Sequence, residues 1–77
     1  MLERISVNAD VCFGRPVVKG TRIWVSLILD LLAGGDSIEA VLEEYPQLTR
    51  EDVLACIAFG AEAADDRYIE IPLSGSP

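Results

Sequence analysis

Length, composition and charge set the first limits on this chain. Its 77 residues suffice for one domain, because a chain of this size buries only roughly 60% of its unfolded surface and cannot form two independent cores. Its apolar stretches are much shorter than the roughly 20 residues of a bilayer-spanning helix, and residues 1–4 lack the pattern of a secretory signal. We therefore expect a soluble, cytoplasmic protein.

The net charge of -7 is unevenly divided along the chain. Residues 1–35 carry four basic and three acidic side chains, a balance of +1, whereas residues 36–77 carry two basic and ten acidic side chains, a balance of -8. A contact with an anion is therefore expected in the first part, and the second part is suited to a basic partner.

The first 25 residues are predicted to form a short β-structured arm. Residues 3–7 alternate polar and apolar side chains, which is typical of a half-buried strand. Between residues 13 and 25, glycines and a proline lie among β-branched residues, and this pattern predicts short strands around a turn at Lys19 and Gly20.

Residues 26–64 are predicted to form three helices. The predicted helices cover residues 27–33, 38–45 and 50–64. Ser26 is the expected cap of the first helix, and the pair Gly34-Gly35 ends it. Asp36 or Ser37 caps the second.

The second and third predicted helices form a helix-turn-helix. Pro46 ends the second helix, because proline disfavours a helical residue before it, and Thr49 caps the third. Only the four residues 46–49 join the two helices, so they must pack at an angle. The sequence thus predicts a mainly α fold, a three-helix bundle that follows a short β-structured arm.

Catalysis is not expected. The chain has no histidine, so the usual general base and a common metal ligand are missing. Cys12 and Cys56 lie far apart, without the spacing of a zinc or redox site, and are predicted to be buried small hydrophobic residues. Adjacent carboxylates on a helix point in different directions and are expected to be solvated. We expect no metal, cofactor or small-molecule substrate.

The third predicted helix is a poor reader of DNA bases. Four apolar residues are expected to face the core: Leu54, Ile57, Ala61 and Ala64. The opposite side carries acidic and small apolar residues, whereas base reading uses Arg, Lys, Asn and Gln. This composition argues against a helix lying in the major groove.

The apolar residues on that opposite side predict a homodimer. With Trp24, an expected core or interface anchor, the predicted dimer interface comprises Trp24, Ala55, Cys56, Phe59 and Ala63. The alternative is that the alanines only favour helix formation.

A basic segment in the arm is the most distinctive part of the sequence. Arg15, Lys19 and Arg22 project from a backbone that two glycines and a proline constrain, which predicts contacts with nucleic-acid phosphates. The structural alternative is that Gly20 only forms the turn and that Arg22 pairs with an acid of the second helix or of a second subunit.

Three motifs carry a family resemblance. They are Gly14-Arg15-Pro16, Gly20-Thr21-Arg22 and Tyr45-Pro46-Gln47-Leu48-Thr49. Their order and spacing closely resemble the prokaryotic family called domain of unknown function 433, over about residues 5–64. Trp24 departs from the pattern, which more commonly has proline there. The resemblance implies a homeodomain-like three-helix fold with a β-structured arm, commonly dimeric, and a role as an antitoxin beside a PIN-like ribonuclease toxin.

The predicted function combines this resemblance with the charge division. We expect an antitoxin of a type II toxin-antitoxin pair that binds and neutralises a PIN-like ribonuclease and also represses its own operon. The C-terminal tail, residues 65–77, is predicted to supply a partner-binding strand and then to be disordered. Its expected partner-binding residues are Asp65, Asp66, Arg67, Tyr68, Ile69 and Ile71.

Three alternatives stay open. The chain is a DNA-binding transcriptional regulator without a toxin partner, with its basic arms on operator DNA. Otherwise it is a dimeric structural adaptor. If the chain is an antitoxin, the alternative for the tail is that it has no role.

Overall fold

Three α-helices form most of the fold that the computed structural model describes, over residues 1–10 and 12–66. In that part of the chain, α1 spans Val25–Ala33, α2 spans Ile38–Glu44 and α3 spans Arg50–Asp66. Two 3-10 turns, Leu2–Arg4 and Cys12–Gly14, and two short strands precede them. The predicted mainly α fold with a β-structured arm is confirmed.

The arm is a small antiparallel sheet. Strand β1, Ile5–Ser6, pairs with strand β2, Val17–Val18, so that Ile5 lies opposite Val18 and Ser6 opposite Val17. Val17 also forms an isolated bridge with Trp24. The predicted strand over residues 3–7 is wrong at its ends, because Arg4 closes a 3-10 turn and Val7 is unpaired and exposed.

The turn between β2 and α1 lies where the sequence predicts it. Gly20 has a φ of 83°, in the left-handed region that glycine adopts without a steric penalty. The Thr21 hydroxyl donates to the Val18 carbonyl at 2.7 Å and accepts from the Ile23 backbone N–H at 3.0 Å. The side chain of Thr21 therefore stabilises the turn that Gly20 permits.

The ends of α1 agree with the sequence only in part. The helix begins at Val25, after Trp24, so Ser26 lies inside α1 and is not its cap. At the other end Gly35 has a φ of 106°, and the N–H groups of Gly35 and Asp36 donate to carbonyls of the last turn. This is the Schellman motif, and it confirms the predicted glycine stop.

Side-chain caps fix the starts of α2 and α3. The Ser37 hydroxyl accepts from the backbone N–H of Ala40 at 3.0 Å. Thr49 and Asp52 cap α3 reciprocally: the Thr49 hydroxyl accepts from the Asp52 N–H at 3.2 Å, and the Asp52 carboxylate accepts from the Thr49 N–H at 2.9 Å. Both predicted caps are confirmed.

The core lies between the three helices, and the arm closes one side of it. Its buried members come from β2, all three helices and the connections: Val18, Ile23, Val25, Ile28, Val41, Leu48, Val53 and Cys56. Leu48 lies in the short connection between α2 and α3, so this turn also contributes to the core. None of the described helices is long and apolar enough to cross a membrane.

The side of α3 that faces the core differs from the prediction. Val53, Ala55 and Cys56 are buried, whereas Ile57 is 41% exposed and Ala61 and Ala64 lie in solvent. The predicted core stripe of α3 is therefore wrong for Ile57, Ala61 and Ala64, and only Leu54 is partly buried.

Gly60 helps to explain this orientation of α3. A Cβ atom at residue 60 would lie 3.0 Å from a methyl carbon of Leu29 in α1, which is closer than ordinary van der Waals contact. Glycine thus allows α1 to pack closely against the Val53–Cys56 side of α3. The sequence-based prediction of the core stripe gives Gly60 no role.

Candidate interaction surfaces

The three basic residues of the arm are all exposed. Arg15, Lys19 and Arg22 lie on the surface, as a role in anion binding requires. Arg15 is held in place, because its guanidinium carbon lies 4.4 Å from the centre of the Trp24 ring, a cation–π contact of about 0.5–1 kcal/mol at an exposed site. The Lys19 backbone N–H donates to the Arg4 carbonyl at 2.7 Å and ties the turn to the start of β1.

Trp24 is half-buried at the junction of the arm and α1. It precedes the first residue of α1 and pairs with Val17, and Arg15 lies over its ring. Its φ of -70° is also the value that proline adopts, so tryptophan needs no change of backbone direction here. Within the chain Trp24 therefore serves as an anchor that positions a basic side chain.

An acidic surface covers α2 and α3. Residues 36–66 contain nine acidic side chains and one basic side chain, Arg50. Eight of the nine are exposed, and we call them the acidic surface: Asp36, Glu39, Glu43, Glu44, Glu51, Glu62, Asp65 and Asp66. Arg50 donates to the Glu39 carboxylate at 2.7 Å, and this bond lowers the pKa of Glu39.

The ninth acid, Asp52, has a structural role. Its carboxylate accepts from the Arg4 guanidinium at 3.0 Å and from the Thr49 backbone, and so joins the start of α3 to the arm. Burial raises the pKa of Asp52, but the hydrogen bonds from Thr49 and Arg4 outweigh this effect and hold the pKa below its ordinary value. Asp52 thus connects two elements that are 48 residues apart in the chain.

Part of the predicted dimer interface lies in the core. Ala55 and Cys56 are 0% exposed, and Phe59 packs partly against the core, so this side of α3 faces the chain's own interior. The prediction is wrong for Ala55 and Cys56, because a second chain cannot reach side chains that the first one buries. Ala63 is exposed, since the core ends before it.

Cys56 is confirmed as a buried small hydrophobic residue. Burial, with a smaller effect of the Asp52 carboxylate, raises the pKa of its thiol to about 11. The thiol is therefore protonated at neutral pH and is a poor nucleophile. The side chain of Cys12 lies outside the part of the chain that the structure describes.

We expect Cys56 to react slowly with thiol reagents in the folded protein. In a Cys12→Ser variant at pH 8, labelling should be at least about 100-fold slower than in denaturant, because the thiolate fraction is smaller and the side chain is inaccessible. Mass spectrometry over time measures both rates. Equal rates in the two conditions would contradict the buried position of Cys56.

The predicted start of the tail at residue 65 is wrong. Asp65 and Asp66 belong to α3, and all residues from 61 to 66 are exposed, so the end of the helix projects beyond the core. The other predicted partner-binding residues, Arg67, Tyr68, Ile69 and Ile71, lie outside the described residues. The sequence places the first two acids correctly on the surface but assigns them to the wrong element.

Phe13 has no role in the sequence-based interpretation, yet its position is unusual. Its side chain is 96% exposed, and its φ of 59° is rare for a residue with a side chain. Nothing else in the described residues explains this conformation. The described part of the chain contains no pocket and no group of three or more metal-binding side chains.

These features define a small three-helix bundle with a basic arm and an acidic helical surface. The chain belongs to the family described as protein of unknown function DUF433, whose pattern matches residues 5–60. An uncharacterized protein of Sinorhizobium fredii called y4eO is 37% identical over 51 residues, which are 66% of this chain and 23% of that protein. The chain thus spans about a quarter of that relative's length. No solved structure matches this chain significantly.

Proposed function

We propose that this domain is a non-catalytic binding protein whose acidic surface covers a basic groove on a partner protein. The acidic surface itself carries the proposal, because residues 36–66 hold eight exposed carboxylates and one basic side chain. Among these eight, Glu39 forms an ion pair with Arg50. Such a surface repels nucleic acid and attracts a basic protein over a long range.

The partner that fits this charge is a nuclease. A ribonuclease groove must be basic, since it binds the phosphates of RNA, and an acidic domain lying in it would compete with the substrate. We therefore propose the specific role of an antitoxin, in a type II pair, that neutralises a PIN-like ribonuclease. The resemblance noted from the sequence motifs supports this choice, and the exposed Asp65 and Asp66 extend the acidic surface towards the predicted partner-binding tail.

DNA binding is a second candidate function, and the exposed arm favours it. Arg15, Lys19 and Arg22 lie on the surface, whereas the outward side of α3 offers apolar and acidic groups to bases. DNA would thus be bound through its backbone by the arm. This activity is compatible with the first and would let an antitoxin repress its own operon.

A crossed pair of variants separates the two activities. Glu43→Gln with Glu44→Gln removes two exposed charges of α2, and Arg15→Gln with Lys19→Gln is the matched control that removes two exposed charges from the arm. Binding to an inactive form of a PIN-like ribonuclease that a pull-down recovers with this chain is measured by titration calorimetry at low and moderate salt.

The acidic-surface variant should weaken ribonuclease binding at least about 10-fold at low salt, with a smaller effect at higher salt, because screening reduces the lost attraction. The arm variant should bind as the unchanged protein does. Equal affinity of all three proteins would contradict the proposal. If DNA binding is the main activity, the arm variant should weaken DNA binding and the acidic-surface variant should not.

A further inference from the structure

Phe13 is the most exposed large apolar residue in the part of the chain that the structure describes. It is 96% exposed, whereas the next most exposed one, Val7, is 61% exposed. An aromatic ring normally stabilises a fold through the apolar area that it buries, and a ring in solvent contributes almost none. Packing within the chain therefore does not account for a phenylalanine at position 13.

The backbone at Phe13 does not favour a large side chain either. Its φ of 59° lies in the left-handed region, and Gly14 follows with a φ of 77°. Glycine and asparagine adopt this region readily, whereas bulky residues are rare there because the Cβ atom approaches the following carbonyl oxygen. The fold would thus accept asparagine at position 13 with less strain. A strained backbone that holds an aromatic ring in solvent indicates a role in binding.

The charges around Phe13 favour an anionic ligand. Residues 10–25 carry three basic side chains and one acidic side chain, Asp10, a balance of +2. Arg15 lies two residues after Phe13, and Lys19 follows strand β2. Both are exposed, and the chain from residue 13 to residue 19 spans at most roughly 20 Å. The ring therefore lies at one end of a short basic segment.

Arg15 adds a second flat group to this segment. Its guanidinium carbon lies 4.4 Å from the centre of the half-buried Trp24 ring. Aromatic rings and guanidinium planes both stack against nucleic-acid bases, and arginine and lysine also bind phosphates. An acidic protein would satisfy the positive charge but has no need of flat groups. Flat groups among cations fit a nucleotide chain whose base faces are open.

We propose that the arm binds single-stranded nucleic acid, with an unpaired base stacked on the ring of Phe13 and phosphates bound by Arg15 and Lys19. In a duplex each base face is covered by its neighbours, whereas the bases of a single strand are free to stack on a protein ring. Such stacking tolerates every base, so RNA and DNA strands are both ligands. This site rests on the second candidate function, nucleic-acid binding by the arm, and selects unpaired strands as its ligand.

Fluorescence anisotropy at low salt tests the site with four labelled probes. They are a single strand of about 12 nucleotides as DNA and as RNA, the DNA duplex of the same sequence, and a DNA strand of the same length without bases. The native chain should bind both single strands at least about 10-fold more tightly than the strand without bases, because only the former can stack. It should bind the duplex more weakly than the single strands.

Three variants separate stacking from phosphate binding. Phe13→Asn should weaken binding to the single strands on the order of 10-fold and leave binding to the strand without bases unchanged. Phe13→Leu keeps an apolar side chain but removes the flat ring, and it should lose as much. Lys19→Gln is the control for phosphate binding and should weaken binding to all four probes by a similar factor. Phe13→Asn should also unfold at a urea concentration no lower than the native chain does.

Several outcomes would overturn the stacking site. Equal affinity for the single strands and the strand without bases, or tighter binding of the duplex, would exclude it. Full affinity in Phe13→Leu would indicate an apolar contact, and a lower urea midpoint in Phe13→Asn would give the ring a structural role. If Phe13→Asn weakens ribonuclease binding and no probe, the ring contacts a protein.

The same measurements keep the stacking site distinct from the function on which it rests. If Lys19→Gln weakens binding to every probe and Phe13→Asn weakens none, nucleic-acid binding by the arm stands and the stacking site is wrong. If no probe binds at low salt, both are wrong. The ribonuclease titration is unaffected by either result.

Discussion

Replacing Ile28 with alanine is expected to lower the free energy of unfolding by about 2–5 kcal/mol. Ile28 is 0% exposed and is among the largest fully buried side chains of the described residues, so the change leaves a cavity at the centre of the three helices. A domain of this length has a total stability of only roughly 4–12 kcal/mol. The variant should therefore be partly unfolded at moderate urea concentrations where the native chain is intact.

The neighbouring Leu27 supplies the control for Ile28. It lies on the same helix and is 36% exposed, so Leu27→Ala should cost about 1 kcal/mol or less. Urea unfolding followed by circular dichroism compares the two variants under one condition. Equal losses of stability would mean that α1 does not present Ile28 to the core.

Replacing Ala55 with aspartate is expected to cost about 3–5 kcal/mol, because it introduces an unpaired charge into the core. Ala55 is 0% exposed, although the sequence pattern assigns it to an outer surface together with Ala63. Ala63→Asp, on the same helix and in solvent, should cost about 1 kcal/mol or less, chiefly through its position near the negative end of the helix dipole.

The pair of aspartate variants decides the orientation of α3. Thermal unfolding at a low protein concentration, where self-association is minimal, gives both stabilities. A large loss for Ala55→Asp and a small one for Ala63→Asp is expected. Small losses for both variants would restore the sequence-based assignment, in which Ile57 and Ala61 face the core and Ala55 and Ala63 face a partner.

Local signals explain why most helix ends were predictable. Ser37 and Thr49 cap helices through hydrogen bonds to residues three positions later, and Gly35 ends α1 through its own backbone conformation. Each of these interactions lies within a few residues, so the sequence contains all of its parts. The start of α1 is different, because Trp24 precedes the helix without a side-chain cap. Ser26 is a residue type that often caps helices, and the sequence therefore pointed to it instead.

The orientation of α3 could not be predicted in the same way. Apolar residues lie on both sides of this helix, and either Leu54 and Ile57 or Val53 and Cys56 make an acceptable apolar side by periodicity alone. The choice depends on α1, whose Leu29 approaches Gly60. That contact joins two distant parts of the chain and is not visible in any local pattern.

The candidate surfaces were predictable in composition but not in contacts. The exposure of Arg15, Lys19 and Arg22 was predictable from their charge and from the turn residues around them. The acidic surface of α2 and α3 was predictable from its charge. The contact of Arg15 with Trp24 depends on the pairing of Val17 with Trp24, which brings the two ends of the segment together. The ion pair between Arg4 and Asp52 spans the whole fold and had no sequence signal.

The helix-turn-helix in this chain positions exposed surfaces and not a base-reading helix. In many DNA-binding proteins its second helix lies in the major groove, but α3 presents an apolar stripe outward and carries Glu51, Glu62 and two terminal aspartates. The fold therefore separates a basic arm from an acidic helical surface. In our proposal the acidic surface binds the ribonuclease.

The measurement that tests the proposed function most directly is RNA cleavage by a PIN-like ribonuclease that a pull-down recovers with this chain, titrated with the purified chain. We predict that cleavage stops as the chain approaches a stoichiometric amount, and that Glu43→Gln with Glu44→Gln shifts the titration at least about 10-fold at low salt. Cleavage that continues unchanged at a large excess of the folded chain would contradict the proposed function.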